Sequence, residues 1–417
     1  MNRLALTIIN KTHDLINNCD FKNRSKKTSE SFTRDRKMGF KKTICFCLNM
    51  SKKSLQLELD DYVELLDESV EKPITKQGFS KARQKISYKA FESLFLVSSE
   101  ALINNCEAKT YKGYRIFAID GSEAELPHSK ELKELYPPSR NTAAPRARLS
   151  IMCDVLNGGL IHADMQRIAV GERKLALNHL NYYKDAFDAH RSMFVFDRGY
   201  PSKDLLEYFE DNDLKYLMRI QKSFNAEIDT TKKSDFYVKL ENNKKTLNVR
   251  VIKLILSNGQ TQTLITNLAR NKFKASEFGH LYHLRWGVET KYNTIKNKLQ
   301  LEDFSGKTAV SVLQDFYAAA YLANLVAAIK FETDERIAED TKDLTHNYKT
   351  NEGLLIGKLK NNLVLILLNN DDNKRSLLLY KLMDRISHFR VSVIPNRHFQ
   401  RPTEAHKKTR SRIKRVI

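Results

Sequence analysis

From Tyr111 to Ile220 the chain reads strand, hairpin, helix, strand, helix, strand, and few folds accommodate that order. RIFAID (115–120) is an apolar run that ends on a carboxylate. ARLSIMCDVLNGGLIHADMQ has the pattern of a hairpin, with Asn157, Gly158 and Gly159 as its turn. KLALNHLNYYKDAFD reads as a helix. MFVFDRGYPS (193–202) reads as a buried strand ending at Asp197, followed by Gly and Pro punctuation. A helix, KDLLEYFEDN, and a further strand, LKYLMRI (214–220), complete the series. The order predicts a mixed α/β sheet.

The pattern changes on either side. Residues 221 to about 268 alternate apolar and polar residues, as in FYVKL, LNVRVIKLIL and QTLITNL, and predict an antiparallel β insert. A helix is expected from about Ser276 to Leu299, and others through 308–330 and 351–390. Residues 1–108 read as a helical, basic region. Within it FSKARQKISYKAFESLFLVSSEALI is expected to form a helix capped by Ser80 and carrying Lys81, Arg83 and Lys85. The expected division is 1–108, 109–330 with the insert at 221–268, and 331–417 with a basic tail, RHFQRPTEAHKKTRSRIKRVI.

Charge narrows the partners. The 417 residues carry 71 Lys and Arg against 50 Asp and Glu, a formal charge of +21. Such an excess favours a polyanion, and the tail adds a segment attracted to phosphate. It disfavours a housekeeping phosphotransferase for small molecules. No membrane partner is expected, because the apolar run at 316–329 is shorter than the roughly 20 residues of a spanning helix. Five cysteines, with no paired CxxC, argue against a disulfide framework or a zinc module. Cys45 and Cys47 read as buried thiols. With no convincing signal peptide at the N-terminus, a cytoplasmic location is expected.

Three acids stand out by position: Asp120 and Asp197 at strand ends, and Glu289 on the helix after the insert. They are 77 and 92 residues apart, so only a fold can gather them. Carboxylates at the ends of adjacent strands point into one crevice, and a packed helix can bring a third. Three hard oxygen donors suit Mg²⁺ or Mn²⁺, two of which can serve an in-line phosphoryl transfer. An Asp at a strand end is also an ordinary turn or cap residue. Asp154 and Asp164, in the hairpin, read as solvated or edge residues.

Glu289 has company. In YHLRWGVETKYNTIK (282–296), Tyr282, Arg285, Glu289 and Lys296 fall within an arc of about 60° on an ideal helix. An ion pair four residues apart accounts for Arg285 and Glu289. It leaves Tyr282 and Lys296 on the same stripe unexplained. The chain's one Trp, Trp286, either packs the core or walls the site.

These residues resemble a known family. Tyr282-x2-Arg285-x3-Glu289-x6-Lys296 is similar to the Tyr-Arg-Glu-Lys signature of insertion-sequence family four, a group of bacterial cut-and-paste DDE transposases. IDGS (119–122) and FDRGYPS (196–202) resemble its two Asp motifs, and FSKARQKIS resembles the segment before its core. The resemblance covers about 80–402. It implies a ribonuclease-H-like core interrupted by a β insert, with Asp120, Asp197 and Glu289 binding two Mg²⁺ or Mn²⁺ ions. Tyr282, Arg285 and Lys296 would then hold DNA phosphates, with Arg198 and Trp286 as further DNA contacts. It also implies binding of terminal inverted repeats, strand nicking, a hairpin intermediate, joining of 3′-ends to target double-stranded DNA, and a homodimer on paired ends. Relatives stack a flipped base on a Trp in the insert; here the insert offers Phe224, Phe236 and Tyr237. A retired, DNA-binding descendant and a metal-dependent nuclease of the same fold are the alternatives.

Overall fold

The computed structural model describes residues 4–34, 36–49, 53–66, 73–105, 107–138, 143–242 and 245–394. The basic tail from Arg397 lies outside the described residues. The chain forms two compact units: Met1–Ala101 with Asp303–Ile417, and Leu102–Glu302.

The first unit is helical. It contains Leu4–Asn17, Phe40–Leu48, Leu55–Leu65, Lys76–Arg83, Ala309–Asp340, Glu352–Leu367 and Asp372–Ser387. The helix Ala309–Asp340 is long and apolar enough to cross a membrane by length and composition, but 89% of its apolar window is buried in the fold. Its polar residues are satisfied there. Gln314 accepts from Arg83 Nε at 2.7 Å, and Asn324 donates to Ser98 and Ser99 at 3.0 and 3.2 Å. The segment around Arg83 departs from the sequence expectation. It makes two helices, Lys76–Arg83 and Lys89–Ile103, and Thr75, not Ser80, caps the first by accepting from the Gly78 amide. Lys81 and Lys85 are exposed, whereas Arg83 is buried and paired with Asp315 at 2.6 Å. Cys45 is buried and Cys47 half-buried, and burial pushes their thiols up to about 12 and about 11.

The second unit is built on one eight-stranded sheet. Its strands are β1 (Arg115–Glu125), β2 (Arg146–Asp154), β3 (Gly159–Arg167), β4 (Ser192–Phe196), β5 (Lys215–Arg219), β6 (Asp235–Asn242), β7 (Lys245–Ile255) and β8 (Thr261–Thr266). The order across the sheet is β3-β2-β1-β4-β5-β8-β7-β6. β1, β4 and β5 are parallel, and β2 runs against β1 and β3. The five strands β3-β2-β1-β4-β5 thus have the order and polarity of a ribonuclease-H-like core. The predicted insert is antiparallel, and it joins that sheet edge to edge through β8 on β5.

Alternation along the strands separates two cores. Phe117, Ile119, Phe194, Phe196 and Met218 face one side, with the helices Glu172–Ala186 and Lys203–Asp211 supplying Leu180, Leu205 and Phe209. Ile116, Met193, Val195 and Leu217 face the other, where Phe278, Leu281 and Tyr282 cover them. Asp154 is not a solvated edge residue. It is fully buried and receives two hydrogen bonds from Arg115, at 2.9 and 2.7 Å.

Candidate active site

Strand register places the first two acids. The parallel pairing of β1 with β4 ends at Ala118 opposite Val195. Asp120 and Asp197 each lie two residues beyond that last rung, so they are level with one another. Two residues is one strand period, so both also share the face of Ala118 and Val195. Neighbouring strands are about 4.8 Å apart, which puts the two side chains together where the strands part. β1 does not end at Asp120 as the sequence suggests. It continues to Glu125 because β2 stays paired with it, Asp120 lying opposite Ile151.

The segment over this face is not one regular helix. It runs as a 3₁₀ turn Ala275–Glu277, helices Phe278–His283 and Trp286–Asn293, and a π turn Thr294–Lys298. Hydrogen bonds tighten at Arg285 to Tyr282, Gly287 to Leu284 and Val288 to Arg285, and widen at Leu299 to Thr294. Packing explains the irregularity. A Cβ on Gly287 would lie 3.0 Å from Val155 Cβ, so the backbone comes close to the sheet there. Tyr292 donates its hydroxyl to the carbonyls of Asp120 and Leu149, at 2.8 and 3.2 Å. A π turn is a common device at functional sites, where it re-aims side chains.

The stripe nevertheless reaches the acids. Tyr282 donates to Asp197 Oδ1 at 3.2 Å. Arg285 donates to Glu289 Oε1 at 2.6 Å and lies 3.9 Å from Asp120 Oδ2. Lys296 reaches further along β1, donating to the Glu123 carbonyl at 2.6 Å and pairing with Glu302 at 3.0 Å. Trp286 is 43% exposed, with the Arg285 guanidinium 6.0 Å from its ring centroid. Arg198 is exposed, beside Asp197. Of the insert's aromatics, Phe236 is in the core and Phe224 packs against it, while Tyr237 is exposed under Arg270.

Electrostatics single out Asp120. Burial pushes its carboxyl up to about 6; the Gly121 amide and Arg285 oppose the rise, and Asp197 and Glu172 add to it. The same group of acids, after burial itself, raises the Tyr200 hydroxyl well above its ordinary range. Tyr200 is 1% exposed, and among the described residues its hydroxyl has no hydrogen-bond partner. The sequence reading missed Glu172 and Tyr200. Tyr200 stands in the FDRGYPS segment and so carried a signal; Glu172 opens a helix and looks there like any acid at a helix start.

The donors fit a hard divalent ion by type. Two aspartates share one face at one level. Among the described residues no three His, Cys, Asp or Glu side chains stand close enough as placed to coordinate one ion. Glu289 is held by Arg285 instead.

The sequence profile of the transposase DDE domain family matches residues 111–325. No curated protein matches the chain. Among solved structures it is similar to a piggyBac transposase synaptic complex with hairpin DNA, at 11% identity over 92% of this chain and 84% of that one, with a TM-score of 0.47. It is also similar to the Mos1 strand transfer complex, at 15% identity over 40% of this chain and 58% of that one, with a TM-score of 0.18.

Proposed function

Since the chain belongs to the transposase DDE domain family, we propose that it is an active DNA transposase of insertion-sequence family four. On this reading it binds the terminal inverted repeats of its own element, cuts them through a hairpin and joins the freed 3′-ends to target DNA. It does so as a homodimer on paired ends. The observation that carries the reading is the level placement of Asp120 and Asp197 beyond the β1–β4 pairing, with Arg285 and Glu289 over them.

Asp120, Asp197 and Glu289 would hold two Mg²⁺ or Mn²⁺ ions. Bound there, divalent ions activate the attacking oxygen and stabilise the leaving one in phosphoryl transfer. The chain's own side chains do the rest. Tyr282 fixes Asp197 through its hydroxyl. Arg285 sits between Asp120 and Glu289 and neutralises part of their mutual repulsion. Its guanidinium fork would also suit a DNA phosphate. Lys296, further along β1, serves an adjacent phosphate. Exposed Trp286 offers a stacking surface for an unpaired base, worth about 1–3 kcal/mol.

The test uses the full chain, Mg²⁺ or Mn²⁺, and labelled DNA carrying the terminal repeats that flank its gene. Nicks, hairpins and joined products that vanish in Glu289→Gln support the reading. Specific binding without cleavage in either metal would identify a retired, DNA-binding descendant. Cleavage without joining would identify a nuclease.

A further inference from the structure

We propose that a groove in the helical unit, walled by Arg34, Arg36, Lys37, Lys81, Lys85 and Lys307, grips the phosphate backbone of duplex DNA. The inference deepens the DNA reading above by naming a phosphate contact in the unit that does not carry the acids, and it needs neither those acids nor a metal. Two adjoining cavities of about 600 and about 500 Å³ form the groove, and they share Arg36, Lys81 and Lys85. The six cations come from three separate stretches of chain, and all six are exposed. Among the described residues Glu30 is the one acid on the walls.

The floor of the groove is rigid. Buried Arg83 donates to Gln314, Ser305, the Ser311 carbonyl and Asp315, at 2.7, 2.5, 2.9 and 2.6 Å. Gln84 adds bonds to Thr308 and Ser311, at 2.7 and 2.9 Å. These bonds fasten segment 305–308, and Lys307 with it, to the end of the helix Lys76–Arg83. On the other side the Lys27 amide donates to the Lys85 carbonyl and the Ser87 amide to the Ser25 carbonyl, at 2.9 and 2.8 Å. Arg83 is thus a cation used up by the fold. Lys81 and Lys85, one turn apart, point their charge into solvent, and among the described residues neither is paired with an acid. Gathered like charges repel, and a polyanion relieves that repulsion. No large apolar side chain among the described wall residues is exposed, so the groove offers a lipid surface nothing to insert and a base nothing to stack on. What it offers is positive charge spread over room for more than one phosphate, which suits successive phosphates of a backbone.

The test is a salt titration of binding to a labelled duplex of random sequence, with the full chain and no divalent metal. Lys81→Gln/Lys85→Gln is compared with wild type and with Lys358→Gln/Lys374→Gln, which removes two exposed cations of the same unit outside the groove. Each phosphate contact contributes about 0.9 to the steepness of log K against log salt. The groove pair is expected to lose about 1.8 of that steepness, and at least about tenfold in affinity at roughly 0.1 M salt. Lys307→Gln, on a different segment, is expected to lose about 0.9, and the control pair to keep the wild-type slope. An unchanged slope in the groove variants, or an equal loss in the control pair, would overturn the inference. So would tighter binding to vesicles of anionic lipid than to the duplex. Terminal-repeat DNA with Mg²⁺ judges the transposase reading separately. Cleavage by wild type beside an unchanged slope in the groove variants removes the groove alone, and a lost slope without any wild-type cleavage removes the transposase reading alone.

Discussion

Strand β1 carries a charged residue near each end of its parallel stretch, and the two are treated differently. Arg115 is finished: it gives two hydrogen bonds to Asp154 and others to the carbonyls of Leu102 and Ile103, at 3.1 and 2.5 Å. Asp120, five residues on, is not. Its cation is 3.9 Å away and is already bonded to another acid, and its surroundings raise its proton affinity. Arg250 repeats the finished pattern in β7, bonded to both oxygens of Asp235 and to the carbonyls of Leu268 and Phe273. A buried charge kept for stability is saturated with partners, because an unpaired one costs several kcal/mol. A charge left short of partners stores that cost until something else binds.

The contrast is broken most severely from the unfinished end. Asp197→Asn is expected to reduce DNA cleavage at least about a thousandfold, about 4 kcal/mol of barrier, while end binding and melting temperature hold. Cleavage near wild type would take Asp197 out of the site. At the finished end the sign reverses. Asp154→Ala leaves the largely buried Arg115 guanidinium without its carboxylate, and is expected to cost about 3 kcal/mol in urea unfolding. A loss below about 1 kcal/mol would mean that the two carbonyls suffice.

Acidity separates the ends further. Burial raises the Asp120 carboxyl from 3.8 to about 6. A carboxyl with a raised folded pKa binds its proton more tightly folded than unfolded. Its contribution is therefore fully present below 3.8 and is lost as pH rises through about 6. Asn does not titrate. Metal-free Asp120→Asn should match wild type near pH 4 and exceed it above pH 6 by up to about 3 kcal/mol. Parallel curves for the two proteins would refute the burial account.

Particular residues show what the sequence made legible. The hairpin turn at Asn157–Gly159, the buried strand before Asp197 and the antiparallel insert could be read because turn chemistry and period are local. The shared stripe of Tyr282, Arg285 and Glu289 could be read because helical spacing is local as well. The true length of β1, the burial of Asp154 and Arg83, and the π turn at 294–298 could not. Each depends on a partner far away in the chain: β2 for β1, Arg115 for Asp154, Asp315 for Arg83, and the carbonyls that hold Tyr292 for the π turn. Glu172 was hidden for the same reason, since only the fold brings it against Gly121.

Gly121→Ala is the mildest way to sharpen the comparison. Its backbone is ordinary strand, so alanine meets no conformational strain, and the three atoms nearest the new methyl all belong to the Glu172 side chain, from 2.8 Å. A flexible side chain moves aside, so the cost in stability is expected to stay within about 1 kcal/mol. The methyl leaves every carboxylate in place chemically and displaces just one of them. Strand alternation turns Gly121 away from the face that Asp120 shares with Ala118, so a cation that finishes this end of β1 should bind Gly121→Ala within about twofold of wild type while the melting temperature barely moves. A several-fold weaker affinity in Gly121→Ala would mean that Asp120 and Asp197 do not hold their partner without Glu172 in its place.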